Sequence, residues 1–267
     1  MGKGNCAGDI IVVKDKVTGS ENAFKTIMIS VFRKQEIQAW VDINDTGICP
    51  QLYLFKLEGN RIHIHMEKLE NAITLRDIID QHMPKLRSEN PELVKPFSLC
   101  IFHDILDTVQ KMHDKGWTHR DLHAGNIMVQ KQNDVSVKVK VLDFGLAGSL
   151  HDELDGLKGF RTDIVEIVRK FSALYTGEEF DNETDVQKNW KQKMQMMTEM
   201  LEMSEEDKLE LFHLIDSALQ IVSPLEVQDM EKDSIMRKVI QILFPTEGKK
   251  VSTSDSMADE VITFEEF

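Results

Sequence analysis

The N-terminal part of the chain alternates short β-branched runs with turn chemistry. Residues 9–13 (DIIVV) and 22–29 (NAFKTIMI) predict two strands, with the turn formers of DKVTGS between them. Across 31–43 (VFRKQEIQAWVDI) the period becomes helical, and Phe32, Trp40 and Ile43 share one face with Glu36. QLYLFKL (51–57) and RIHIHME (61–67), joined through Glu58-Gly59-Asn60, predict a hairpin. Beyond residue 67 the pattern is mostly helical. Over 97–115, Ile101, Ile105, Val109 and Met112 form one stripe that stops at Gly116. Short strands are predicted at 127–130 and 137–142. A helix over 163–176 is predicted to start from the capping pair Thr162-Asp163 and to end at Gly177. Further helices are predicted near 185–203, 205–221 and 228–243. Residues 246–267 show no apolar period until a short hydrophobic end and read as an acidic, flexible tail.

This order of elements predicts an α+β, bilobal architecture. A small strand-rich lobe with one main helix (1–67) leads through a hinge (68–71) into a larger helical lobe (72–245). Composition narrows the class further. No apolar run approaches the roughly 20 residues a membrane helix needs. Lys and Arg number 32 against 46 Asp and Glu, a net charge of −14 that argues against a nucleic-acid-binding surface. Cys6, Cys49 and Cys100 are widely spaced, which excludes a disulfide scaffold and paired zinc ligands and suits a reducing cytosol. The start, MGKGNCAGDIIVV, lacks the apolar stretch and cleavage site of a signal peptide, so the expected location is cytoplasmic.

The sharpest chemical signal is His119-Arg120-Asp121-Leu122-His123-Ala124-Gly125-Asn126, followed after 17 residues by Asp143-Phe144-Gly145 at the end of a predicted strand. Carboxylate and amide oxygens at such a spacing suit a hard cation and a reacting hydroxyl. In the small lobe, strand alternation places Ala23 and Lys25 on one face. Glu36, set among apolar stripe residues, needs a cationic partner to offset desolvation, and Lys25 is the natural candidate.

These motifs resemble the eukaryotic protein kinase superfamily, of serine/threonine type. The resemblance implies Mg·ATP as phosphoryl donor and a protein hydroxyl as acceptor. It assigns Asp121 to the acceptor proton, Asn126 and Asp143 to Mg²⁺, and Lys25 to the α/β-phosphates with Glu36 as its partner. Arg120 would pair with a phosphorylated residue, for which Ser149 and Thr162 are the available hydroxyls. Gly4 and Gly8 would belong to the phosphate-covering loop, although their spacing departs from the family's by one residue. Ile64-His65-Met66-Glu67-Lys68-Leu69 resembles the hinge. Met66 would then limit the adenine pocket, the backbones of Glu67 and Leu69 would meet the adenine edge, and Ile10, Ala23 and Met128 would sandwich the ring. Asp163 would fix the backbone of the catalytic loop.

Three departures qualify the resemblance. Only 20 residues separate Asp143 from Asp163, so most of the family's peptide-docking segment is missing. His123 stands where serine/threonine kinases carry lysine, and the glycine loop is irregular. The small lobe is similar to MAP kinase kinase kinases such as NF-κB-inducing kinase, while the shortened segment is similar to that of the kinase-like domain of ribonuclease L. Asp121-Leu122-His123-Ala124-Gly125-Asn126 is also close to the loop of choline and aminoglycoside kinases. Three functions stay open: a protein kinase, a kinase-like nucleotide-binding signalling module, and a small-molecule phosphotransferase.

Overall fold

In the computed structural model, residues 10–14, 19–152, 155–178 and 232–245 are described. Alternation of apolar residues builds the small lobe. Strands β1 (Ile10–Lys14), β2 (Glu21–Met28), β3 (Leu52–Glu58) and β4 (Arg61–Glu67) form a four-stranded antiparallel sheet in the order β1-β2-β4-β3. Its register sets Ile10 opposite Lys25 and Ala23 opposite Met66. Helix α1 (Lys34–Ile43) buries Glu36, Ile37, Trp40 and Ile43, and its apolar residues enter one core with Ile62 and Ile64 of β4. The β3–β4 turn needs Gly59, whose φ of 57° lies in the left-handed region.

The chain leaves β4 and enters the second lobe at β5 (Ala72–Thr74). Thr74 accepts a hydrogen bond from the Asp77 N–H and caps α2 (Leu75–Asp77), which runs through a π-helical turn (Ile78–His82) into α3 (Met83–Glu89). The long α4 spans Val94–Asp114 and is followed by β6 (Trp117–Thr118). Strands β7 (Ile127–Lys131) and β8 (Val137–Val141) complete a three-stranded sheet in the order β5-β7-β8. Strand β9 (Gly148–Ser149) pairs with β6. Helix α5 (Asp155–Thr176) packs on α4 with the Phe102 and Phe171 rings 4.4 Å apart. Helix α6 (Lys232–Leu243) adds Val239 and Leu243 to the core.

One helix departs from its sequence pattern. The predicted start at Thr162-Asp163 is wrong: α5 begins at Asp155, and Asp163 lies in its interior. The misleading residues are Gly156 and Gly159, which cost helical stability and read as loop. Packing requires them. A Cβ on Gly156 would lie 2.4 Å from the Leu150 carbonyl oxygen, and one on Gly159 would lie 2.5 Å from Thr118 Oγ1. Thr162, expected to cap, instead donates its hydroxyl to the Lys158 carbonyl within the helix. The predicted helices near 185–203 and 205–221 and the tail 246–267 lie outside the described residues, as do Gly4 and Gly8.

Candidate active site

Lys25 is the centre of the small-lobe half of the site. Its Nζ lies 3.1 Å from Glu36 Oε1 and 3.6 Å from Asp143 Oδ1, so one ammonium joins β2, α1 and the turn after β8. Lys25 and Glu36 are both buried. Burial holds the Glu36 carboxyl above its ordinary range; the charge and hydrogen bond of Lys25 oppose that shift, and the Asp143 charge adds to it. Asp143 has a φ of 63°, and its Oδ1 accepts the Gly145 N–H at 3.2 Å. Phe144, fully buried, packs against Trp40 of α1 and His119 of the catalytic loop at ring distances of 5.8 and 5.5 Å. The helix carrying Glu36 thus touches the loop carrying Asp121 through one phenyl ring.

The catalytic loop is held from below by a single carboxylate. Asp163 is wholly buried; its Oδ1 accepts the Arg120 N–H at 2.7 Å, and its Oδ2 accepts the His119 N–H at 2.9 Å. His113 Nε2 of α4 meets the same Oδ2 at 2.8 Å. A buried carboxylate is tolerated when its lone pairs are filled in this way. His119 Nδ1 accepts the Asp121 N–H and its Nε2 donates to the Leu142 carbonyl, which fixes a neutral ring. Burial lowers its pKa, against weaker contributions from Asp163, the Leu142 bond, Asp121 and Asp143 that raise it. Asn126 Nδ2 donates to the Asp121 carbonyl at 2.9 Å, leaving Asn126 Oδ1 as an oxygen ligand.

Arg120 also has a left-handed backbone, with φ of 66°. Its guanidinium donates to Thr118 Oγ1 and to the Asp155 carbonyl, and lies 3.5 Å from the Asp155 carboxylate. Two glycines make room for it. A Cβ on Gly148 would sit 2.0 Å from Arg120 Cζ, and one on Gly159 would sit 2.6 Å from Arg120 Nε. The residue expected to receive a phosphate is paired with an acid at the start of α5. Ser149 lies in β9, where its Oγ accepts the His151 N–H.

The adenine-lining expectations fall on two surfaces. Directly paired residues of antiparallel strands share a face, so Ile10, Ala23, Lys25, Ile64 and Met66 face the same side of the small-lobe sheet. Met128 lies half-buried in β7, opposite Thr74 and Lys140. Glu67 and Leu69 are half-buried at the passage between the lobes. The Glu67 carboxylate accepts from Lys140 Nζ at 2.6 Å and from the Gln51 N–H at 3.0 Å, which ties the end of β4 to β8. His123 stands at the position of the family's lysine, and its Nδ1 accepts the Gly125 N–H. Among the described residues no three His, Cys, Asp or Glu side chains converge as a metal cage.

Sequence reasoning missed His113, Gly148, Gly159, Asp155 and Lys140. His113 had a signal: a histidine beside Val109 and Met112 on the core face of α4 must find a polar partner. The two glycines gave none, because their role depends on contacts distant in sequence.

A family model described as the protein kinase domain matches residues 1–173. Among curated proteins, the "Probable serine/threonine-protein kinase fhkA" of Dictyostelium discoideum is 40% identical over 148 residues, covering 52% of this chain and 24% of that protein. Calcium-dependent protein kinase 4 of Plasmodium falciparum is 27% identical over 158 residues, covering 55% and 27%. The interferon-induced, double-stranded RNA-activated protein kinase of Rattus norvegicus is 26% identical over 162 residues, covering 55% and 30%. The matched region is thus a quarter to a third of each relative's length. With the Lys25–Glu36 pair, the His119–Asn126 loop and the Asp143 turn assembled in one structure, the chain belongs to the protein kinase family.

Proposed function

We propose that the chain transfers the γ-phosphoryl group of ATP to a serine or threonine hydroxyl of a protein substrate, in intracellular signalling in the cytoplasm. The observation that carries this reading is the position of Lys25, whose ammonium stands between Glu36 and Asp143. A pure scaffold has no physical need for a buried lysine and glutamate set beside a third charge. The Lys25 ammonium would hold the α/β-phosphates, and Glu36 would hold Lys25 in place. Mg²⁺, when bound by Asn126 Oδ1 and the Asp143 carboxylate, supplies neutralisation of phosphate charge. Asp121 accepts the proton of the acceptor hydroxyl as its oxygen bonds to phosphorus and the bond to the ADP oxygen breaks. Asp163 and the neutral His119 keep Asp121 aimed by holding the backbone around it.

A second reading has one observation in its favour. Among the described residues between Gly145 and Asp155 the chain makes only the two-residue β9 before entering α5, so a protein acceptor would have little of the usual platform to lie on. On this reading the chain binds nucleotide and acts through partners.

Purified protein with labelled ATP and Mg²⁺, offered generic protein acceptors, choline-like alcohols or no acceptor, separates the readings. Labelled protein is the expected result, and Lys25→Met or Asp143→Asn sharply reduces it while circular dichroism shows the fold intact. Nucleotide binding without turnover establishes the second reading instead, and labelled alcohol would make the chain a small-molecule phosphotransferase.

A further inference from the structure

An ion pair crosses between the lobes at the passage that joins them. Lys140 of β8 is buried, and its Nζ donates to Oε2 of Glu67 at 2.6 Å. Glu67 is the last residue of β4 and the last that the β2–β4 ladder places; the next strand, β5, starts only at Ala72. On the small-lobe side, the same Oε2 accepts the Gln51 N–H at 3.0 Å, and the Glu67 N–H donates to the Gln51 carbonyl at 2.8 Å. The end of β4 is therefore fixed by its own lobe through Gln51 and by the other lobe through Lys140. The two charges are not equally enclosed: the Lys140 side chain is 8% exposed and that of Glu67 is 27% exposed. A lysine so enclosed is tolerated only with a partner, and Glu67 is the carboxylate that meets it.

The register of the second sheet adds an independent observation. Lys140 lies directly opposite Met128 across β7 and β8, so the two side chains share one face of that sheet. Met128 is the residue expected beneath the adenine ring, and Glu67 is one of the two whose backbone is expected at the ring's edge. One cross-strand pair thus carries the floor of the base site and, through the Lys140–Glu67 contact, holds its rim. The edge is where purines differ. Adenine presents the N6 amino group, a donor, where guanine presents O6, an acceptor. A backbone carbonyl held against that position accepts from adenine and faces a lone pair of guanine. Such discrimination lasts only while the carbonyl cannot retreat from the wrong base.

We propose that Lys140 is a positioning residue for base recognition: by fixing the Glu67 backbone from the large lobe, it makes the site select adenine over guanine. The proposal rests on the nucleotide-binding reading above and deepens it. Isothermal titration calorimetry of the full chain with Mg·ATP and with Mg·GTP tests it. Wild type is expected to prefer ATP. Lys140→Met removes the charge and keeps most of the side-chain length, while Glu67 retains the Gln51 N–H and access to water. Its affinity for ATP should fall on the order of ten-fold with that for GTP unchanged, so the preference falls by the same factor. Glu67→Gln keeps an oxygen for Lys140 and should lower the preference by less. Adding it to Lys140→Met should change nothing further, because the two residues act through one contact. Equal losses for ATP and GTP overturn the proposal, since Lys140 then only holds the lobes together. An unchanged preference in Lys140→Met overturns it as well, and so does a wild type that binds the two nucleotides alike. Should Lys140→Met fail to fold by circular dichroism, Glu67→Gln decides, and an unchanged preference there overturns the proposal. A wild type that binds neither nucleotide removes the nucleotide-binding reading itself, and this inference with it.

Discussion

The two halves of the cleft are held by different kinds of order. In the small lobe, Lys25 and Glu36 meet through one contact at 3.1 Å between elements otherwise joined by apolar packing. In the large lobe, the loop around Asp121 is held by Asp163, which serves the His119 and Arg120 backbones and the His113 ring together. A single buried ion pair gains little net stability, because desolvation offsets most of the attraction. Several donors on one buried carboxylate over-determine its position. The small-lobe half is therefore suited to being made and broken, and the large-lobe half is suited to staying put. Phe144, between Trp40 and His119, lets the first sense the second.

The sharpest way to break the contrast is to remove the lower anchor. Asp163→Ala strands the buried His119 N–H, the partly buried Arg120 N–H and the His113 ring nitrogen at once. It should destabilise the protein by about 3–5 kcal/mol, read as the shift in a urea unfolding curve. Asp163→Asn retains one acceptor oxygen and should fall between wild type and alanine. A loss as small as that of an exposed aspartate would show that the loop is held by packing alone.

The upper anchor should answer in the opposite way. Lys25→Met keeps the side-chain volume but leaves the Glu36 carboxyl buried without its cation, which favours protonation of that group over unfolding. Phosphoryl transfer should fall on the order of 10²–10³-fold. The unfolding midpoint should move much less than for Asp163→Ala. Adding Glu36→Leu should recover stability without recovering activity, since an apolar pair in place of a buried ion pair is often neutral or better. Equal stability losses in Lys25→Met and Asp163→Ala would erase the distinction between the two halves.

Much of this site was legible in the sequence because its chemistry is carried by residue types that physics restricts. A glutamate in the apolar stripe of α1 demands a cation, and alternation on β2 offers Lys25 on the side facing the helix. The β3–β4 hairpin followed from Gly59 between two alternating runs. Asp163 was legible as an important residue but not as a helix-interior one. Gly156 and Gly159 concealed the first two turns of α5, and only the closeness of Leu150, Thr118 and Arg120 explains them. Arg120 was read as a receiver for phosphate on Ser149 or Thr162. Its pairing with Asp155 depends on where α5 begins, which local pattern did not reveal.

That pairing sharpens the account of the lower half. Gly148→Ala puts a methyl group where the Arg120 guanidinium lies, and overpacking of this kind costs about 1–3 kcal/mol. Displacement of Arg120 should disturb the neighbouring Asp121, lowering kcat with KM for ATP nearly unchanged, because Lys25 and Asp143 are untouched. Adding Arg120→Ala should restore the stability lost in Gly148→Ala, since the shortened side chain frees the space. Failure of that restoration would separate the glycine from the arginine.

The smallest effect is a slope. The Glu36 carboxyl is held above the ordinary glutamate value of 4.5 by burial, so the folded protein binds its proton more tightly than the unfolded chain does. Between 4.5 and the raised folded value, the folded state holds more protons. This group's contribution to stability must therefore fall as pH rises through that window and level off above it. Glu36→Gln has no proton to lose and should lack that component. The measurement is the difference between the wild-type and Glu36→Gln stability curves against pH, from urea titrations, because other acids cancel in the difference. Activity should move the other way over the same window. Lys25 gains its ionised partner as Glu36 deprotonates, so the acid limb of kcat/KM should lie above the ordinary glutamate range. A difference curve flat through the window, or rising with pH, would mean that Lys25 outweighs burial and that the small-lobe pair is as firmly fixed as the loop beneath it.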